Sequence, residues 1–260
     1  MANIVKLKHL EHLEDEMLNY GTDGCQAAVR FMNELVKMLG KKGSSAFMQT
    51  KWDGAPSVVC GTDPASGMFF VGNKSVFNTT NAKMCFTQED IDFYYPDKGG
   101  LNQKLSMALE YFSQLNIKGV VQGDLMFTEE DKKNETINGE NLITFRANTI
   151  TYGIPVNHPI GKEVSDAKIG VVFHTHYKGS DLSTATAQAG APIEQFSKIK
   201  ECAVIQNDTP MNDIAIDEST LTKFKANVSD IEKLCSESGQ FLDTLVSNMG
   251  TTGDKKFHVA

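Results

Sequence analysis

The apolar residues of this chain change period four times, and that change limits the fold more than any other feature. Over residues 4–19, Val5, Leu7, Leu10, Leu13, Met17 and Leu18 recur at roughly helical spacing. Thr22 and Asp23 can cap a second helix, DGCQAAVRFMNELVKML, which stops at Gly40. Lys41 and Lys42 follow, where cations suit a helix C-terminus. The pattern then shifts to short β-type runs, AFMQTKW, PSVVCG and MFFVGNKSVF, separated by turn clusters such as GTDPASG. FTQEDIDFYY reads as a short capped helix and LNQKLSMALEYFSQL as an amphipathic one. Strands resume with GVVQGDLMF, LITFRANTITYGIP and AKIGVVFHTHY. SDLSTATAQAG and APIEQFSKIK read as weaker helical segments. STLTKFKANVSDIEKLCSESGQFLDTLVSNMG reads as one or two helices ending near Gly250, before a polar, frayed tail.

Strands that do not alternate regularly with helices argue against a doubly wound parallel sheet. The expected fold is α+β, with mainly antiparallel sheets and flanking helices. Three stretches follow: a helical segment over 1–45 packed on the core, a strand-rich domain over 46–206 and a helical segment over 207–260. At 260 residues the chain suits one large domain or two small ones. No run of about 18 apolar residues occurs, so no membrane span is expected. The charged, amphipathic N-terminus does not read as a secretory signal. Five scattered cysteines without a CxxC pair predict reduced thiols and a cytoplasmic location. The triplet Asn78-Thr79-Thr80 is then a chance match to a glycosylation site. A net charge of −8 argues against nonspecific coating of nucleic acid and leaves a local patch or a partner as the route to it.

Within the strand-rich stretch, KWDGAP at 51–56 stands out. On a strand, Lys51 and Asp53 share a face and Trp52 points the other way, toward the core. Gly54 permits a tight turn and Pro56 stops ladder pairing nearby. A lysine so placed becomes a nucleophile when desolvation or nearby cations favour its neutral amine. The plainer alternative is a surface Lys–Asp pair worth under about 1 kcal/mol.

KWDG resembles motif I, KxDG, of the covalent nucleotidyltransferases: the DNA ligases, RNA ligases and mRNA capping enzymes. VVQGDLMF at 120–127 resembles the later GE strand motif of the RNA ligases, with Asp124 in place of glutamate. FFVGNKSVF at 69–77 occupies the region where DNA ligases carry a strand motif. The order HLEH, KWDGAP, FFVGNKSVFN, QGDLMFT and TITYGIPV, over residues 8–180, is similar to a ligase-like family of T4-type tailed phages. The resemblance implies a ligase-type, ATP-grasp-like nucleotidyltransferase domain over 46–206, in the host cytoplasm if the chain is a phage protein. Lys51, beside Asp53, would attack the α-phosphate of ATP and form a lysyl–AMP, with pyrophosphate leaving on Mg2+. Asp124 would hold the ribose hydroxyl or the metal. Phe69, Phe70 or Tyr152 would stack on adenine, Lys74 would meet a phosphate, and Gly54 would line the nucleotide pocket.

Two departures are plain. The nearest match to motif IV, E-G-x-V, is Ile169-Gly170-Val171-Val172, with isoleucine where the metal-binding glutamate belongs. The only candidate for motif V, K-x-K, is Lys198-Ile199-Lys200, inside a helix-like segment. Two functional expectations follow. One is an ATP-dependent nucleotidyltransferase acting on RNA or DNA ends. The other is a ligase-fold phage protein without catalysis, serving as a binding or assembly module. A partner protein or a C-terminal continuation would supply the missing motifs. The acceptor, and ATP versus GTP, stay open.

Other groups carry less. His174 and His176, spaced i, i+2 on one strand face, could ligate zinc, but no neighbouring Cys or carboxylate completes a set, so a polar strand face is favoured. His9 and His12, with Glu11 and Glu14, read as a solvated helix face, and Glu129-Glu130-Asp131 as an acidic turn. Arg146 reads equally as a phosphate ligand or a surface residue. No P-loop, GxGxxG, GxSxG, HExxH or EF-hand pattern occurs.

Overall fold

The computed structural model describes residues 12–41, 51–96, 100–206 and 216–249. In chain order its elements are α1 (Leu13–Leu39), β1 (Ser57–Thr62), β2 (Phe69–Gly72), α2 (Gln88–Tyr94), α3 (Leu101–Phe112), β3 (Val120–Thr128), β4 (Lys133–Ile137), β5 (Glu140–Arg146), β6 (Thr151–Pro155), α4 (Pro159–Asp166), β7 (Ile169–Lys178), β8 (Thr186–Ala189), β9 (Cys202–Val204) and α5 (Glu218–Met249). They divide into two compact units, one over Lys51–Asn207 and one formed by the helices α1 and α5.

In the first unit, a six-stranded sheet runs β2-β1-β3-β7-β8, with β9 added to β7. Every pairing is antiparallel except β7–β9. A second antiparallel sheet runs β4-β5-β6. The class is therefore α+β with mainly antiparallel sheets and flanking helices, as the sequence predicts. One face of the large sheet is covered by α3: Leu105, Ala108 and Phe112 pack on Val58, Cys60, Val121, Leu125, Val171 and Phe173. Each such fully buried large side chain stabilises the fold by about 1.5–3 kcal/mol. The opposite face carries two separate apolar clusters. One joins Met126 and Val172 to Ile143, Phe145 and Ile154 of the small sheet. The other joins Val59, Phe70 and Val120 to Phe77 and Tyr177.

α2 has the expected cap. The Thr87 hydroxyl accepts from the Asp90 N–H, and the Asp90 carboxylate accepts from the Thr87 N–H. The acidic turn 129–131 is likewise closed by Asp131, which accepts from the Thr128 N–H and hydroxyl. Three expectations need correction. MFFVGNKSVF is not one strand: β2 ends at Gly72, and Lys74–Phe77 is a 3-10 turn capped by the Asn73 side chain. The chain folds back tightly there, since a Cβ on Gly72 would stand 2.5 Å from Val76 Cγ1. In SDLSTATAQAG only Leu182–Thr184 is helical, as a 3-10 turn, and the rest is not. Thr186–Ala189 pairs with Thr175–Lys178 at the sheet edge, burying Ala187. In APIEQFSKIK only Ile193–Gln195 forms a 3-10 turn.

In the helical unit, α1 and α5 run antiparallel, with Thr22 bonded to Asp243 at one end and Gly40 against Leu221 at the other. Ala28, Val29 and Met32 pack on Phe224, Val228 and Ile231. α1 is broken at Gly21, whose φ of 57° and ψ of −132° are non-helical. The break falls where the sequence separates two helices, and α1 ends at Gly40 as expected. Thr22 does not cap the second segment with its own oxygen. Its N–H and hydroxyl both donate to the Asp243 carboxylate, at 2.8 Å each. A cleft of about 560 Å³ between the helices is lined by Cys25, Arg30, Glu232 and Cys235, among others. None of the residues expected to form a site lines it. Among the described residues, no helix is long and apolar enough to cross a membrane. All five cysteines are free, and four are buried. Residues 4–11, Lys42, the AFMQT part of the first expected strand and the C-terminal tail lie outside the described residues.

Candidate functional site

Within the segment 51–56, residues 54–56 lie on β3 rather than forming a strand of their own. Lys51–Gly54 has no regular secondary structure, and β1 begins only at Ser57. The expectation that Lys51 and Asp53 share a strand face is therefore not met. Backbone bonds fix the turn instead. The Ala55 N–H donates to the Leu125 carbonyl (2.9 Å), and the Leu125 N–H donates to the Pro56 carbonyl (3.0 Å). Lys104 Nζ, from α3, donates to the Ala55 carbonyl at 3.3 Å. Gly54 is required by this approach: a Cβ there would stand 2.5 Å from the Leu125 oxygen and 2.9 Å from the Asp124 Cβ.

Around this turn the side chains take distinct roles. Lys51 is exposed, and no hydrogen bond or ion pair holds it among the described residues. Trp52 is half-buried and stacks on Tyr152 with ring centroids 4.9 Å apart, on the core side as expected. Asp53 turns toward the β5–β6 loop. Its Oδ2 accepts from Asn148 Nδ2 and Thr149 Oγ1, both at 3.2 Å. Its N–H donates to the Tyr152 hydroxyl at 2.8 Å. Arg146 serves the same loop, its Nε donating to the Asn148 carbonyl.

Beneath the turn, β3 carries an unusual face. Alternate residues are Val120, Gln122, Asp124 and Met126. The two ends belong to the two apolar clusters, and the middle pair is polar. Ser57 lies opposite Asp124. Buried Gln122 donates to Ser57 Oγ (3.0 Å) and accepts from the Tyr177 hydroxyl (2.5 Å). Burial pushes the Tyr177 phenol up, which keeps it a donor. On the other side, His174 Nε2 lies 3.6 Å from Asp124 Oδ1. Ser57, Gln122, Asp124 and His174 thus form a polar band between two apolar clusters.

The two histidines do not share a face, contrary to expectation. The β3–β7 register slips between Gln122 and Gly123, which pair with Thr175 and Phe173 and leave His174 without a cross-strand partner. A bulge of this kind re-aims the side chains that follow it: His174 stays on the face of Val172 and Asp124, and His176 is turned away. His176 lies opposite Val121, on the α3 side, with Nδ1 2.8 Å from the Gly190 carbonyl. Before the slip, Val171 and Phe173 face α3; beyond it, Tyr177 faces the opposite cluster.

Several expected site residues are placed elsewhere. Phe70 is fully buried among Val59, Val76 and Phe77, so its ring is closed to an adenine. Tyr152 is packed between Trp52 and Phe145, and its hydroxyl already accepts from Asp53. Phe69 packs against the α3-side core. Lys74 is exposed at the start of its 3-10 turn. Ile169 is fully buried, so the position matched to the motif IV glutamate is a core position. Gly170 is explained by packing, since a Cβ there would stand 2.2 Å from the Phe127 ring. Lys198–Lys200 is not helical, and Lys200 pairs with Asp166 at 3.7 Å. Among the described residues, no three His, Cys, Asp or Glu side chains gather as a metal site.

Sequence reading missed Lys104, Asn148, Thr149, Ser57 and Gln122. Only the last left a signal. Two polar residues two apart inside an apolar strand, Gln122 and Asp124, mark a face that is not simple core.

No curated protein and no solved structure matches the chain. A match over residues 3–260 shows that the chain belongs to DUF6267, described as a family of unknown function.

Proposed function

We propose that the chain is an ATP-dependent nucleotidyltransferase of the ligase-like type, with Lys51 as the nucleophile that receives AMP and a nucleic acid end as the acceptor. One observation carries this reading. Gly54, three residues after Lys51, packs directly on β3 at Asp124. The glycine of the KxDG sequence and the aspartate of the QGD sequence, 70 positions apart, are in contact.

In the reaction, the Lys51 amine, after its ammonium proton has passed to water, forms a bond to the α-phosphorus of ATP. The bond from that phosphorus to the α,β-bridging oxygen breaks, pyrophosphate leaves, and the amine proton passes to water. Asp53, tied to Asn148, Thr149 and Tyr152, holds the backbone beside the nucleophile. Lys104 holds the other end of the turn at Ala55. Asp124 would hold a divalent ion, and such an ion would neutralise the leaving pyrophosphate. The test is labelling with α-32P-ATP in the presence of Mg2+ or Mn2+. Wild-type protein takes up label and Lys51→Arg does not, because a guanidinium stays protonated. Equal labelling of both overturns the assignment.

A second reading rests on a different observation. Phe70 is buried, Phe69 packs against the core and half-buried Tyr152 already stacks on Trp52 and Phe145, so each expected adenine platform is engaged by the protein itself. That favours a binding or assembly module that keeps the turn without the chemistry. Under it, no label is incorporated.

A further inference from the structure

We infer that His174 Nε2 and Asp124 Oδ1 are two ligands of one divalent transition-metal site, and that the site takes Mn2+ in preference to Mg2+. It shares Asp124 with the proposed nucleotidyltransferase site but does not depend on Lys51.

The geometry comes first. At 3.6 Å, the Nε2–Oδ1 separation is too long for a hydrogen bond, which lies near 2.7–3.2 Å. It suits two atoms on either side of an ion. With metal–ligand bonds of about 2.1 Å, that separation subtends about 120° at the metal. A side-chain torsion that closes it by about 0.6 Å gives the right angle of an octahedral site.

The second observation is how His174 is held. Its Nδ1 lies 2.8 Å from Thr175 Oγ1, and Thr175 is buried. A metal-bound histidine nearly always engages its other ring nitrogen in this way, which fixes the ring and its tautomer. With Nδ1–H donating to Thr175, the Nε2 lone pair faces the Asp124 carboxylate. Two electron-rich atoms facing each other in a partly buried band are stabilised by a cation between them. His174 follows Val172, the cross-strand partner of Asp124, by two residues and so lies on the Asp124 face of β7, and the register slip leaves it without a partner of its own on β3.

The choice of ion follows from the donors. Mg2+ prefers oxygen ligands, whereas imidazole suits first-row transition ions. Two protein ligands leave several positions for water or phosphate oxygens. That fits an octahedral ion such as Mn2+ better than a closed tetrahedral zinc site.

The test uses the full chain and Mn2+ alone, with no nucleotide. Electron paramagnetic resonance of free Mn2+ measures affinity, and spin-echo modulation of bound Mn2+ detects a coordinated nitrogen. The wild type binds one Mn2+ with nitrogen modulation, and Mg2+ displaces it only at about tenfold or greater excess. His174→Ala weakens binding by about tenfold or more and loses the modulation. His174→Gln, which keeps the bulk and polarity of the bulge, also loses the modulation. Lys51→Arg keeps both affinity and modulation, which separates this site from the lysyl–AMP chemistry. Absence of Mn2+ binding, binding without nitrogen modulation, or unchanged affinity in both His174 variants would overturn the inference.

Discussion

Gly54 and Asp124 are in contact across the turn: a Cβ built at position 54 would stand 2.9 Å from the Asp124 Cβ. This contact joins the nucleophile-bearing segment to the polar band. Gly54→Ala would also drive a methyl group to 2.5 Å from the Leu125 carbonyl oxygen, which is backbone and cannot swing aside. The expected cost is about 1–3 kcal/mol of stability, as for overpacking elsewhere. Label uptake from α-32P-ATP should fall with it, because the turn must lift from β3. Denaturant unfolding and labelling of the same preparation check both, and wild-type values in each would remove Gly54 from the account.

Tyr152 acts through its hydroxyl as well as its ring. Tyr152→Phe keeps the stack on Trp52 but removes the acceptor of the Asp53 N–H. The stability loss should be about 1 kcal/mol, while the rate of Lys51 labelling drops more than ATP affinity does. Single-turnover labelling at varied ATP separates the two effects. A pure loss of ATP affinity would make Tyr152 a nucleotide contact instead.

Buried Gln122 depends on Tyr177. Tyr177→Phe removes the donor to Gln122 Oε1 and should cost about 1–3 kcal/mol, the range for a buried polar atom left without that bond. Urea unfolding measures it. A cost under about 0.5 kcal/mol, as at an ordinary surface site, would show that the band is wetter than its burial suggests.

What the sequence could and could not tell divides along physical lines. Elements written in local periodicity were legible: the capped α2, the amphipathic α3, the apolar runs of β1, β3 and β7, and the helix break beside Thr22. Thr186–Ala189 was not, because an edge strand with alanines has no local pattern of its own and exists only through pairing with β7. Lys51, Asp53, Gly54 and Asp124 could be picked out as residues. Their arrangement could not, since Asp53 finds its partners at Asn148 and Thr149, nearly a hundred positions away. The separation of His174 from His176 was hidden for a sharper reason: a register slip between them breaks the i, i+2 rule on which strand faces are read.

The helical unit carries a pH-dependent clasp. The Thr22 N–H and hydroxyl hold the Asp243 carboxyl below the usual carboxylate range. Unfolded, the group titrates near its ordinary value of about 3.9. A depressed folded pKa contributes stability that is fully present above that value and is lost as pH falls through the folded pKa. Asp243→Asn should therefore lower the Tm at neutral pH, with the gap to wild type closing below about pH 4. Helical circular dichroism followed on heating at several pH values checks it. A gap independent of pH would mean that the charge of Asp243 contributes nothing.

The central claim is that Lys51 becomes covalently adenylylated, and intact mass spectrometry tests it most directly. After incubation with ATP and Mn2+, the account predicts a species heavier by about 329 Da, the mass of one adenylyl group carried on the nucleophile. The added mass should map to the peptide containing Lys51 and be absent from Lys51→Arg. An unmodified mass under these conditions, or an adduct on any other residue, would contradict the account.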